Sequence, residues 1–357
     1  MKTPAVLLLL SSFVQLAGAQ WVLQPRVTIA NSNQVRFVDR NNGWIVGQYM
    51  ARSGINVFPA NISSVFRTTN AGASWSEQRF TNQRLHSISF PNRSVGWAIG
   101  AVPSGQGLVC KTTDGGTTWN VIDSSSTAIF YCVQFLNESI GWIGGRTWSD
   151  TAGVVARTTD GGLTWHTRYD KSLDVNELFF LDSMIGWDVG QNGKIYKTLD
   201  GGANWQAVYQ APGYASPLRR IRFTDPLHGC AVGGISGTET KVWTTDGGVS
   251  WTSVMNSPPT LGSSLHGLWL NDPNNGWCVG GVNAGLTIQQ TTDGGKTWSK
   301  QGYPSGLKPS VGYFQDITFV SLTEGWIVAD SGYILKTMTG GITPVYATAH
   351  RVSIDHH

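Results

Sequence analysis

The side chains best placed to do chemistry are acids held in a recurring frame. T-x-D-x-G-x-T-W carries Asp114, Asp160, Asp200, Asp246 and Asp293 at its third position, and Asn70 holds that place in the first copy. A carboxylate can serve as a general acid or base or as a cation ligand, but an active site needs one constellation, not the same acid in every unit. A repeated acid is what a turn requires. Its oxygens accept hydrogen bonds from nearby backbone N–H groups, and the glycines behind it take positive φ angles. Asn70 fits this reading, because an amide closes the same turn without an ionisable group. These positions are therefore expected to be structural.

The elements that must carry the turns follow from their spacing. Full copies run Thr68 to Trp75, Thr112 to Trp119, Thr158 to Trp165, Thr198 to Trp205, Thr244 to Trp251 and Thr291 to Trp298, with a degraded copy from Thr337 to Pro344. Before each stands an alternating V-x-F segment and a G-W-x-x-G segment, starting at Val35, Ile88, Val133, Leu178, Ile221, Leu268 and Ile317. The period of about 45 residues is that of a four-stranded propeller blade. With 44 glycines, 13% charged residues and no linker, the chain reads as one all-β domain, a seven-bladed β-propeller. The last unit has Pro344 where a Trp should begin its fourth strand. Trp21-Val22-Leu23-Gln24 matches the missing strand, so the N-terminal segment is expected to close the ring and remove its open edges.

Residues that differ between units are better candidates for recognition. Two places before each V-x-F stand Asn33, His86, Tyr131, Asn176, Arg219, His266 and Gln315, and the next place holds Gln34, Ser87, Cys132, Glu177, Arg220, Gly267 and Asp316. At the start of innermost strands these groups would converge on one end of the central channel. Asn33, His86, Tyr131, Asn176, Arg219, Arg220, His266 and Gln315 are the candidate binding residues, for a peptide, a sugar or a partner's loop; a water-filled channel lining is the alternative. Trp44, Trp97, Trp142, Trp187, Trp277 and Trp326 recur and read as core, whereas Trp148 and Trp269 do not recur. Trp148, between strands, is the aromatic to test for contact with a ligand.

The ends and the bulk numbers narrow the setting. Residues 1–19, with Lys2, an apolar stretch and Ala17-Gly18-Ala19, read as a signal peptide too short to span a bilayer, so export is expected. The propeller is expected over 20–344 and a non-repeat tail over 345–357, where His350, His356 and His357 lie. A formal charge of +3 without a basic run gives no nucleic-acid footprint. Cys110, Cys132, Cys230 and Cys278 read as buried thiols, with a Cys110–Cys132 bridge the exception to look for. No C-x-x-C or H-x-E spacing gathers metal ligands, and no cofactor is expected. Asn61, Asn92 and Asn137 head glycosylation sequons.

The T-x-D-x-G-x-T-W frame resembles the Asp-box of bacterial neuraminidases and other propellers with BNR-type repeats. Joined to G-W-x-V-G and K-T-T-D-G-G, it is similar to the photosystem II stability and assembly factor family, from Trp21 to about Thr343. That resemblance implies a seven-bladed propeller acting as a non-catalytic assembly or protein-binding module; a monomer with no stable membrane span is expected. The alternative it leaves is a carbohydrate-active enzyme such as a sialidase. Gln24-Pro25-Arg26-Val27 and Arg220-Ile221-Arg222-Phe223 do not match the F-R-I-P segment of sialidases, and Glu138, Glu177, Asp188, Glu239, Asp316 and Glu324 are glycosidase acids by type only.

Overall fold

The computed structural model describes residues 21–341, except 28–30, 50–61, 125–126, 150–151, 171–172, 174, 212–215, 236–237, 254–262, 282–284 and 308–311. The segments expected as signal peptide and tail, and Asn61, lie outside the described residues. Seven four-stranded antiparallel sheets form a ring. Six are built from consecutive strands, as in the first blade: Asn31–Phe37, Gly43–Gln48, Ile62–Thr68 and Ser76–Thr81. The innermost strands of the other blades are Arg84–Ser89, Ala128–Phe135, Glu177–Phe180, Leu218–Phe223, Ser264–Leu270 and Phe314–Phe319. No described helix is long and apolar enough to cross a membrane.

The repeated motifs meet across blade interfaces, which is why both recur. The Trp of each G-W stacks on the Phe of the next blade's V-x-F: Trp44 on Phe90, Trp97 on Phe135 and Trp142 on Phe180, with centroids 3.6, 3.5 and 3.8 Å apart. Trp187 on Phe223, Trp277 on Phe319 and Trp326 on Phe37 continue the series. Five of the six indole N–H groups then donate to the next blade's turn, among them Trp44 to the Gly115 carbonyl at 2.8 Å and Trp326 to that of Ala71 at 3.2 Å, while that of Trp187 is buried without an acceptor. One side chain thus fills the core, stacks and satisfies a turn carbonyl. The fifth blade has Cys230 in place of the Trp, and the sixth has Leu270 in place of the Phe; these two substitutions share one core cluster.

Each turn is closed locally, as the recurring acid implies. Asp114 Oδ1 accepts the Thr118 N–H at 2.9 Å and the Thr112 hydroxyl at 2.8 Å, and Oδ2 accepts the Thr118 hydroxyl at 2.7 Å. Thr112 Oγ1 in turn accepts the Gly116 N–H at 2.8 Å. Asp160, Asp200, Asp246 and Asp293 repeat the arrangement, and Asn70 Oδ1 accepts the Ser74 N–H at 3.0 Å. The residue after the acid sits at φ 73° in Gly115 and 62° in Ala71, a left-handed backbone that a Cβ strains.

The chain's N-terminal strand closes the ring. Val22–Leu23 pairs with Ile334–Thr337, Val22 opposite Lys336 and Leu23 opposite Leu335. Trp21 is fully buried, meets Phe319 edge-on at 5.9 Å and donates to Gln301 Oε1 at 3.1 Å. Trp119 and Trp165 meet Phe90 and Phe135 the same way, at 5.8 and 6.1 Å, so Trp21 occupies the place of a turn Trp. All four cysteines are buried and free. The Cys110–Cys132 bridge is absent because the two thiols face different interfaces, Cys110 packing with Trp44 and Ile88, Cys132 with Val155 and Leu178.

Candidate functional site

A β-bulge builds the upper mouth of the channel. In six of the seven innermost strands the register shifts by one residue, between Ser32 and Gln34, Leu85 and Ser87, Phe130 and Cys132, Leu218 and Arg220, Leu265 and Gly267, and Phe314 and Asp316. The extra residues are Asn33, His86, Tyr131, Arg219, His266 and Gln315. A bulge re-aims a side chain, here into the channel. Asn176 reaches the same level just before its strand begins. With Arg220 these residues line one open cavity of about 460 Å³, joined by Gln48, Arg146 and Gln191, which the repeat comparison did not single out. The three additions lie near or just beyond the ends of second strands, which differ in length from blade to blade.

Part of this ring is devoted to holding blades together. Asn33 Nδ2 and Gln48 Nε2 donate to the Leu85 carbonyl at 3.0 and 3.1 Å, His86 Nδ1 to that of Phe130 at 2.8 Å, and Asn176 Nδ2 to that of Leu218 at 2.8 Å. One level deeper, acceptors reach the next blade's backbone N–H: Gln34 to Ile88 at 2.7 Å, Glu177 to Ile221 at 2.8 Å and Asp316 to Val35 at 3.1 Å. Two partial belts of hydrogen bonds therefore join neighbouring blades along the channel.

The charges divide the cavity from what lies beneath. Arg220 is half-buried with Nε 3.8 Å from both Glu177 and Asp316; burial opposes its charge, but these carboxylates hold its pKa above the ordinary arginine value. Arg222 pairs with Glu177 at 2.8 Å and Arg36 with Asp316 at 3.5 Å. Arg219 has no ion pair among the described residues and its buried Nε has no hydrogen bond; burial, then the like charge of Arg220, holds its pKa down. His266 Nδ1 donates to Gln315 Oε1 at 3.1 Å, and burial together with Arg219 and Arg220 pulls its pKa to about 3. It is therefore neutral, and its Nε2 has no partner. Burial likewise lowers His86.

Among the described residues no acid lines this cavity. Glu138 accepts from Asn92 on the surface, Glu239 pairs with Lys241, and Glu324 pairs with Lys336. Asp188, on the second strand of the fourth blade, is buried with neither oxygen hydrogen-bonded, and burial lifts it to about 8. Among the described residues no group of His, Cys, Asp and Glu could hold a metal ion. Trp148 is 64% exposed and lies against Gly105, beside a second cavity of about 340 Å³ that shares His86 and Tyr131 with the first.

Fold and site together define a seven-bladed propeller with a polar, cationic mouth. No family model matches the chain, and no curated protein is similar to it. Among solved structures it is similar to YCF48 bound to a D1 peptide, at 20% identity and a TM-score of 0.65, over 90% of this chain and 97% of that one. YCF48 from Cyanidioschyzon merolae is similar at 18% identity and a TM-score of 0.63, over 89% and 98%. The GH74 xyloglucanase from Xanthomonas campestris is similar at 11% identity and a TM-score of 0.65, over 93% of this chain and 55% of that one. At such identities the likeness is one of fold.

Proposed function

We propose that the chain is an exported, non-catalytic binding module whose upper cavity takes an extended, acidic segment of a protein partner. The observation that carries this reading is Arg219, a half-buried guanidinium without a carboxylate among the described residues, in a cavity whose described lining has three arginines and no acid. A carboxylate entering there would supply the missing acceptor. His266 Nε2, a neutral acceptor, suits a backbone N–H of the same segment. A solved propeller of similar architecture is a complex with a peptide, which supports the mode of binding by analogy of fold alone. In this reading residues 1–19 are a removable leader and 20–344 a monomeric propeller.

The competing reading is a carbohydrate-active enzyme, since a GH74 xyloglucanase has the same fold. Hydrolysis needs two carboxyl groups facing one cleft, and Glu177 and Asp316 are instead tied to arginines and to backbone N–H groups beneath the cavity. The test is selection of linear peptides from a displayed library on the wild-type protein, followed by calorimetry. The selected peptides are expected to be acidic, and Arg219→Gln to weaken them about tenfold, roughly 1.4 kcal/mol. Selection of neutral peptides indifferent to Arg219, or turnover of xyloglucan or a sialoside, would defeat the proposal.

A further inference from the structure

The channel has a second mouth whose chemistry differs from the first. The middle residue of each V-x-F lies at its edge, and in chain order these are Arg36, Ser89, Gln134, Phe179, Arg222, Trp269 and Thr318. All but Thr318 line a cavity of about 440 Å³, a volume in the range of small-molecule sites. Its walls mix apolar surface from Val38, Phe179, Trp269 and Leu270 with polar Gln134 and Glu177. Trp269, a tryptophan outside the repeat pattern, has its indole N–H tied to Asn271 Oδ1 at 2.9 Å, so what remains for the cavity is apolar ring.

The floor of this cavity carries more positive than negative charge. Its charged lining residues among those described are Arg36, Arg222 and Glu177; Arg220, which lines the upper cavity, shares Glu177 and Asp316 with them. Glu177 Oε2 lies 2.8 Å from Arg222, while Arg36 stands 3.5 Å from Asp316, longer than a charge-assisted hydrogen bond. Burial lowers Arg36 to about 10, with Arg222 and Arg220 adding to the effect and Asp316 and Glu177 opposing it. A buried charge without a full partner is costly, and an anion in the cavity would relieve it. Arg222 stands between the two aromatics of the ring, 5.8 Å from the Phe179 centroid and next to Trp269 in blade order.

We propose that the lower mouth is a separate ligand site for a small anion with an apolar, planar body, such as an aryl carboxylate. Its carboxylate sits at Arg36 and Arg222, and its ring lies against Trp269 and Phe179. The inference stands apart from the reading of the upper mouth, which uses Arg219.

The experiment is calorimetric titration of the whole protein with 2-naphthylacetate and with its neutral amide. The carboxylate is expected to bind at least about tenfold more tightly than the amide. Arg36→Gln should reduce that preference about tenfold. Trp269→Ala should weaken both compounds, while Arg219→Gln should change neither. If Arg36→Gln does not fold, judged by its thermal transition, Trp269→Ala and the carboxylate-to-amide ratio still decide the matter. Equal binding of the two compounds, no binding at millimolar concentration, insensitivity to Trp269→Ala, or loss of binding in Arg219→Gln would each overturn the proposal.

Discussion

Trp21→Ala tests whether the N-terminal strand holds the ring shut. The ring is fully buried, packs edge-on against Phe319 and donates to Gln301, so its loss leaves a cavity in the last blade and an acceptor without its partner. Truncating a buried aromatic to alanine costs about 3–5 kcal/mol. The melting entropy is about 2.1 cal/mol/K per residue, or roughly 0.7 kcal/mol/K over about 320 residues, which converts that cost to a fall of about 4–7 °C in Tm. The assay is thermal unfolding followed by circular dichroism, with Val22→Ala as control, because Val22 lies in the same strand but is 52% exposed. Val22→Ala should move Tm by no more than about 1 °C. If Trp21→Ala moves it no further than the control, the strand is an ornament on a ring that closes without it.

Three other outcomes follow from local physics. Ala71 occupies the left-handed position that glycine fills in the other full turns, so Ala71→Gly should stabilise by about 0.5–1 kcal/mol in urea unfolding. Turn hydrogen bonds, from Thr118 first, hold Asp114 at about 2, below its unfolded value; the stability it adds is present above about pH 4 and lost as pH falls towards 2. Asp114→Asn should therefore flatten that part of the acid unfolding curve. Asp188 behaves oppositely: burial raises it to about 8, the native state keeps a proton the unfolded chain loses near pH 4, and stability falls as pH rises from 4 to 8. Asp188→Ile, matching Ile45, Ile143 and Ile327 at the same place in other blades, should remove this slope and raise Tm at pH 8.

Much of this architecture is visible in the residues because the same local problem is solved repeatedly. The G-W Trp, the V-x-F Phe and the turn acid recur because they touch one another across every interface, and Trp21 could be placed by register because its surroundings repeat too. The upper ring was legible as the variable position beside an invariant strand, but its cause, a bulge in six strands, was not. A bulge is defined by a partner strand, and counting along one strand does not reveal it. The belts of hydrogen bonds were hidden for the same reason: Asn33 and His86 read as free polar groups until the neighbouring Leu85 and Phe130 carbonyls are placed beside them. Arg36 and Arg222 sit within strands otherwise read as core, and only closure of the ring brings them to Asp316 and Glu177. Asp188 is an acid by type whose burial without a hydrogen bond appears only in three dimensions.

The central claim is that Arg219 receives an acidic group from outside the protein. The most direct measurement is the salt and charge dependence of a selected peptide's Kd, compared between wild type, Arg219→Gln and Arg219→Lys. The account predicts about a tenfold loss in Arg219→Gln, partial recovery in Arg219→Lys, and loss of the difference when the peptide's acid is amidated. Equal affinity of the acid and amide forms for all three proteins would contradict it.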